Sequence, residues 1–195
     1  DFFDRKAIFD LASKKLINSG YNRAGFESYA LPNDPLDVSM KKKKAVYNSL
    51  GTQKGEAINF VAVGSSAHGC FGDDYYFQNF YEQNLYREAI NNNQLPIYRG
   101  MKLSLDDRIR RSVVRDVRTY FHINYDEFNK KFGVNFKDYF KKELEQLKVF
   151  ENDGLVKRAK DYLQLTELGE HFSPQIACVF DAYNESNLFD NKKIA

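Results

Sequence analysis

The stretch Leu105-Asp106-Asp107-Arg108-Ile109-Arg110-Arg111-Ser112-Val113-Val114-Arg115-Asp116-Val117-Arg118-Thr119-Tyr120-Phe121 decides how the second half of the chain folds. Ile109, Val113, Val117 and Phe121 recur four residues apart, which puts them on one face of a helix over residues 106–121. Asp106 and Asp107 stand at its start, where the helix dipole favours negative charge. Downstream, residues 126–132 predict a short helix stopped by Gly133. Residues 136–150 predict a third, with Phe136, Phe140, Leu144 and Leu147 inward. Gly154-Leu155-Val156 and residues 162–165 alternate like two short strands around a charged turn. Thr166 caps a last helix, with Glu167 in its first turn and Leu168, Phe172, Ile176, Val179 and Phe180 as its apolar residues. Three helices, a hairpin and a further helix predict a winged-helix-like module.

Upstream, Ile8, Leu11, Ala12 and Leu16 recur at helical spacing over residues 4–19, and Gly20 follows as a stop. Residues 21–31 read as a short aromatic strand, ended by the turn Pro32-Asn33-Asp34-Pro35. Helix, glycine, then strand is the rhythm of a parallel barrel or sheet. Residues 36–48 predict another helix. The β-branched run at 58–63 ends in Gly64-Ser65-Ser66-Ala67-His68-Gly69, small residues that let a backbone approach a ligand or a neighbouring strand. A turn and strand at 71–79 and a helix at 79–91 carrying Tyr81, Leu85 and Ile90 complete this half. Composition shifts near residues 95–100, which divides the chain into 1–98 and 99–195.

The 195 residues suffice for one domain or two small ones, and 43% hydrophobic content builds a real core. Lys and Arg exceed Asp and Glu by only two, so composition does not call for a nucleic-acid partner. In the module's candidate recognition helix, Lys137, Lys141, Lys142 and Lys148 stand against Asp138, Glu143 and Glu145, a near balance that argues against phosphate tracking. The run from Lys41 to Lys44 reads as a solvated helix end or loop. Cys70 and Cys178 are far apart and fit a reducing compartment rather than a disulfide framework. His122 and His171 have no partner at metal-ligand spacing. No apolar run approaches the ~20 residues of a membrane span, and no signal peptide is evident, so a cytoplasmic chain is expected; a monomer is expected as well. The chain opens at Asp1 inside an amphipathic pattern, as expected of a fragment.

Several stretches together resemble one family. Leu16-Ile17-Asn18-Ser19-Gly20-Tyr21 and the run from Gly25-Phe26 through Ala30-Leu31-Pro32-Asn33-Asp34 are followed by Asn48-Ser49-Leu50-Gly51-Thr52-Gln53. Val63-Gly64-Ser65-Ser66-Ala67-His68 and Gly72-Asp73-Asp74-Tyr75-Tyr76-Phe77-Gln78-Asn79 come next. Then come Arg99-Gly100, Ile109-Arg110-Arg111, Asp153-Gly154-Leu155-Val156, Leu165-Thr166-Glu167-Leu168-Gly169 and Cys178-Val179-Phe180-Asp181-Ala182-Tyr183. In order and spacing these are similar to the C-terminal portion of oxygen-independent coproporphyrinogen III oxidases, radical S-adenosylmethionine proteins. The resemblance implies an α+β chain: the end of a partial (β/α) barrel with accessory strands, followed by the winged-helix-like module. It implies an N-terminal radical S-adenosylmethionine domain as partner, holding a [4Fe-4S] iron–sulfur cluster on a CxxxCxxC loop. This chain has no such loop, so cluster and S-adenosylmethionine belong to the full-length parent, and neither the cluster nor redox activity is expected of this fragment alone.

The implied reaction is oxidative decarboxylation of two propionates of a tetrapyrrole substrate to vinyl groups, with this region as a lid over substrate. A contact to a second S-adenosylmethionine, or to haem, maps onto His68, Ser49 and Leu50; the family has an apolar residue where His68 stands and an aromatic where Ser49 stands. Arg110 and Arg111 are candidates for propionate, since guanidinium pairs carboxylates bidentately, and Tyr75, with Tyr76 and Phe77, for stacking on the macrocycle. The alternative for the arginines is a helix-start motif tied to nearby acids. Alternatives for the whole are an anaerobic haem-degrading methyltransferase or a haem-binding chaperone of the same family.

Overall fold

The computed structural model describes residues 2–48, 51–55, 59–61, 63–72 and 74–184. They form a mixed chain of helices and small sheets, and every strand pairing among the described residues is antiparallel. Two compact units arise: Glu56–Arg111 is one, and Asp1–Gly55 with Ser112–Ala195 is the other.

The larger unit opens with α1 (Phe2–Asn18), as the spacing predicts. Of its periodic apolar residues, however, Ile8 and Leu11 are exposed, together with Phe3 and Ile17. The single strand expected at 21–31 is instead a hairpin of β1 (Asn22–Ala24) and β2 (Ser28–Ala30). Gly25 adopts φ +75, a conformation open to glycine, and turns the chain between them. The expected Pro-Asn-Asp-Pro turn starts α2 (Pro35–Lys41): Asp34 accepts from Leu36 N at 2.8 Å and Pro35 occupies the first turn. The helix expected to run to residue 48 stops there, and β3 (Val46–Asn48) pairs with β4 (Gly51–Gln53).

The smaller unit is built on β5 (His68–Phe71) and β6 (Tyr75–Asn79), followed by α3 (Gln83–Asn91) and β7 (Ile97–Lys102). The sheet order is β5-β6-β7. Of the strand expected at 58–63, Phe60 bridges Cys70, while residues 58 and 62 lie outside the described residues. The helix expected from residue 79 begins at Gln83, because Asn79 is still paired in β6, and Tyr81, Leu85 and Ile90, the apolar residues expected on it, are exposed. Gly69 lies opposite Phe77. A Cβ there would collide with the Phe77 ring and lie 2.8 Å from the Phe60 carbonyl, so the small residue serves a neighbouring side chain.

The long helix α4 (Leu105–Thr119) buries Ile109, Val113 and Val117, the expected stripe, and Phe121 follows it into the core. In the larger unit come β8 (His122–Asn124) and α5 (Tyr125–Phe132), which Gly133 ends in the left-handed conformation at φ +70. The predicted helix over 136–150 is three short ones: α6 (Phe136–Tyr139), α7 (Lys141–Gln146) and α8 (Lys148–Asn152). Breaks fall at Phe140 and Leu147, both fully buried, so the chain bends to keep its predicted inward residues in one core. Strands β9 (Val156–Arg158) and β10 (Tyr162–Leu165) form the expected hairpin, and β10 also pairs with β8. The last predicted helix is divided into α9 (Glu167–Glu170) and α10 (Ser173–Cys178), because Pro174 cannot continue a helix but suits the first turn of a new one. Leu168, the first of its apolar residues, is exposed.

The core of this unit is aromatic. Phe136 stacks on Tyr125 at 4.5 Å and lies 5.0 Å from Phe140, which meets Phe180 edge-on at 5.3 Å. Each such buried side chain contributes roughly 1.5–3 kcal/mol by removal from water.

Candidate functional site

The residues expected to meet substrate fall in the smaller unit. Tyr75 opens β6 and is exposed, paired with Phe71 on one side and Lys102 on the other. Arg110 donates through Nε to Asp106 Oδ2 at 2.7 Å, one helical turn back, and Arg108 binds Asp74 at 2.8 Å. Arg111 instead lies over a ring, with Cζ 4.9 Å from the centroid of Tyr76, the neighbour of Tyr75 on the opposite side of the strand. His68 begins β5, exposed, directly opposite Gln78. Ser49 and Leu50 lie outside the described residues.

The small-residue loop before His68 is tied down by its neighbours. Asn79, almost fully buried, donates to Gly64 O at 3.0 Å, and its backbone N donates to Ala67 O. Gly64 N donates to the Tyr86 hydroxyl at 3.0 Å, and Ser66 N to Phe80 O at 2.8 Å. These bonds hold the entry to β5 in place ahead of His68.

Three groups in the larger unit also concentrate charge. Arg118 is buried, its guanidinium 4.2 Å above the Tyr47 ring, and it donates to the Tyr47 hydroxyl at 2.5 Å and Ser173 Oγ at 3.1 Å. Arg23 pairs with Glu170 at 2.6 Å and sits over Phe9, Phe26 and Phe121. His171 meets Phe9 and Phe26 edge-on, 3.8 Å from Asp10, and burial pushes its pKa down. A cavity of about 140 Å³ is lined by Lys43, Arg115, Asp116, His122, Glu127 and Lys131, among others. Its charges largely answer one another: Arg115 holds Asp116 at 2.7 Å, and Lys43 holds Glu127 at 3.0 Å. Burial raises the Asp116 carboxyl and lowers His122.

Sequence reasoning did not single out Arg23 or Arg118. Arg118 does carry a signal, because it is adjacent to Val117 on the buried side of α4; its partners Tyr47 and Ser173 are 71 and 55 residues away and leave no local trace.

Among the described residues no group of three or more His, Cys, Asp or Glu side chains is arranged to hold a metal ion. An iron–sulfur cluster of the radical S-adenosylmethionine kind takes three thiolates. The chain has two cysteines, Cys70 in the smaller unit and Cys178 in the larger, so its residues do not fit that group. No helix of the described residues is long and apolar enough to cross a membrane.

Comparison with known proteins places this arrangement. Residues 103–170 match the HemN C-terminal domain. The chain is 32% identical over 184 residues to an oxygen-independent coproporphyrinogen III oxidase of Synechocystis, covering 92% of this chain and 39% of that protein. It is 29% identical over 180 residues to the Helicobacter pylori (strain J99) protein of the same name, with the same coverage. The Escherichia coli K12 counterpart is 31% identical over 168 residues, 86% of this chain and 36% of that protein. Among solved structures, coproporphyrinogen III oxidase (HemN) from Escherichia coli, described as a radical SAM enzyme, superposes with a TM-score of 0.80 at 29% identity, over 90% of this chain and 40% of that one. The chain therefore spans about two fifths of the length of these relatives.

Proposed function

We propose, from the match of residues 103–170 to the HemN C-terminal domain, that the chain is the C-terminal region of a radical S-adenosylmethionine tetrapyrrole enzyme, most like oxygen-independent coproporphyrinogen III dehydrogenase. The parent oxidatively decarboxylates two propionates of coproporphyrinogen III to vinyl groups, and this region covers the substrate. The observation that carries the reading is the superposition over 90% of the chain at a TM-score of 0.80, accompanied by about 30% identity to coproporphyrinogen III oxidases.

Within this reading, residues 1–98 are the end of a partial (β/α) barrel with accessory strands, and residues 99–195 are the winged-helix-like module. The exposed Phe3, Ile8, Leu11 and Ile17 of α1 support a further protein layer on that helix. That layer is the parent's own N-terminal radical domain, which also supplies the cluster and S-adenosylmethionine that two cysteines cannot hold. The assembled protein works in the cytoplasm as a monomer. Of the residues the resemblance offers for its second S-adenosylmethionine, His68 is the candidate contact among the described residues.

The test uses the full-length parent, its cluster reconstituted without oxygen, supplied with coproporphyrinogen III and S-adenosylmethionine. Formation of protoporphyrinogen and carbon dioxide is expected. Absence of decarboxylation, with haem consumed or only bound instead, overturns the reading in favour of the haem-degrading or chaperone alternative.

A further inference from the structure

In the larger unit, helices α5 to α8 and the β9–β10 hairpin border an open groove of about 420 Å³. Its deep wall includes Tyr125 and Leu144, both buried, and its rim is charged. Both acids of that rim are already engaged. Arg158 grips the Glu151 carboxylate through Nε and Nη2 and gives its Nη1 to Leu144 O at 2.9 Å. Glu145 pairs at 2.6 Å with Lys148, which does not line the groove. Lys137 and Lys141, four residues apart, are exposed on the rim and have no ion-pair partner among the described residues. The near balance of charge along residues 137–148 is therefore uneven in space: the acids are answered, and two ammonium groups remain at one groove.

Tyr125 adds a third donor. It is only 4% exposed, its ring stacked on Phe136 at 4.5 Å, with Lys137 Nζ 5.6 Å from the ring centroid. Buried tyrosine hydroxyls ordinarily find a hydrogen-bond partner. This one has none among the described residues. Burial pushes its pKa up to about 12, so it keeps its proton at neutral pH and donates. The charges of Arg158 and Glu151 also act on it, which turns the hydroxyl toward the groove that both residues line.

The donor set selects among anions. A planar carboxylate is matched by the fork of a guanidinium, and the guanidinium of this groove is committed to Glu151 and Leu144. Two ammonium point charges and a hydroxyl instead suit the three terminal oxygens of a phosphate monoester. The groove has the volume of a small-molecule site and exceeds a lone phosphate. Leu144 and Ala159 give it apolar wall for the remainder of such a ligand.

We propose that this groove binds a small organic phosphate, its phosphate on Lys137, Lys141 and the Tyr125 hydroxyl and its organic body against Leu144 and Ala159.

The test is a calorimetric titration of the full-length protein with phenyl phosphate, which reads binding alone and is independent of any decarboxylation by the parent. Lys137→Gln, Lys141→Gln and Tyr125→Phe are each expected to weaken binding about tenfold, the scale of one lost hydrogen bond to a charged group. Lys130→Gln, on α5 outside the groove, should bind as wild type does. Inorganic phosphate should bind more weakly for want of the organic body, and benzoate, which keeps the ring but carries a carboxylate, more weakly than the ester. Equal affinity in wild type and Lys141→Gln, an exposed position that leaves the fold intact by circular dichroism, overturns the proposal. Benzoate or inorganic phosphate binding as tightly as phenyl phosphate overturns it as well. So does a DNA duplex that displaces phenyl phosphate with an affinity falling steeply as salt rises, because the groove is then part of a nucleic-acid face.

Discussion

Gly169 and Gly154 should respond to alanine in very different ways. Gly169 is the third residue of α9, and a Cβ built there would strike the Leu155 carbonyl oxygen, 2.8 Å from Leu155 C and 3.2 Å from its Cα. Carbon atoms settle near 3.5–4 Å, so one backbone segment must move by the better part of an ångström. That carbonyl accepts from Thr166 N at 2.9 Å, and Thr166 Oγ1 accepts from Gly169 N at 3.0 Å as the cap of α9. The displacement therefore combines overpacking of about 1–3 kcal/mol, a stranded backbone donor of about 1–3 kcal/mol and a cap of about 1 kcal/mol. Together these approach 3–7 kcal/mol, against a total stability of about 5–15 kcal/mol for a domain. Gly154 has φ +72 but nothing within 4 Å of a new Cβ, so alanine there costs only the left-handed strain of about 1–2 kcal/mol. Urea denaturation followed by circular dichroism orders the two variants. If Gly169→Ala unfolds at the same denaturant concentration as Gly154→Ala, the argument from the Leu155 carbonyl is wrong.

Other outcomes follow from the same geometry. Arg158 grips the Glu151 carboxylate through Nε and Nη2 and donates from Nη1 to Leu144 O at 2.9 Å, so Arg158→Ala should cost about 2 kcal/mol in the same denaturation assay. Asp37, held by Lys41, Asn33 N and Asn22, has its pKa lowered to about 2; its contribution to stability is complete above the ordinary carboxylate range and is lost as pH falls from about 4 through 2. Carboxyl chemical shifts of Asp37 should follow that titration in wild type and move to higher pH in Lys41→Met. His171, whose pKa burial and then Lys6 lower against the pull of Asp10, is more readily protonated in the unfolded chain, so stability is complete above about pH 6.5 and declines below it. The melting temperature of His171→Leu should decline less between pH 7 and 5 than that of wild type.

The helices of the second half were legible because burial there follows a simple period: Ile109, Val113 and Val117 lie inward on α4, as do Phe136, Phe140, Leu144 and Leu147. What period cannot convey is where the chain bends between such residues. Phe140 and Leu147 end helices while keeping the spacing, and only tertiary packing distinguishes that from one straight helix. The hairpin at Asn22–Ala30 was hidden for a related reason: one glycine at positive φ converts an aromatic run into two strands without altering its hydrophobicity.

The candidate site turned on parity, which composition does not carry. Tyr75, Tyr76 and Phe77 are consecutive aromatics, and a shift of one residue exchanges the sides of the sheet. The register is decided by the small residue facing Phe77: only Gly69 leaves room for that ring, and Phe77 is the member of the three that is buried. Once Phe77 takes the side of Gly69, Tyr75 shares it, and Tyr76 must take the other with Gln78 and Arg99. The helix that follows has the same logic. Asp106 is one turn before Arg110 and engages it, whereas Arg111 points 100° further round and meets Tyr76. Both arginines were visible as candidates, and one glycine and one aspartate determine which tyrosine shares the side of Gln78 and Arg99 and which arginine lies over it.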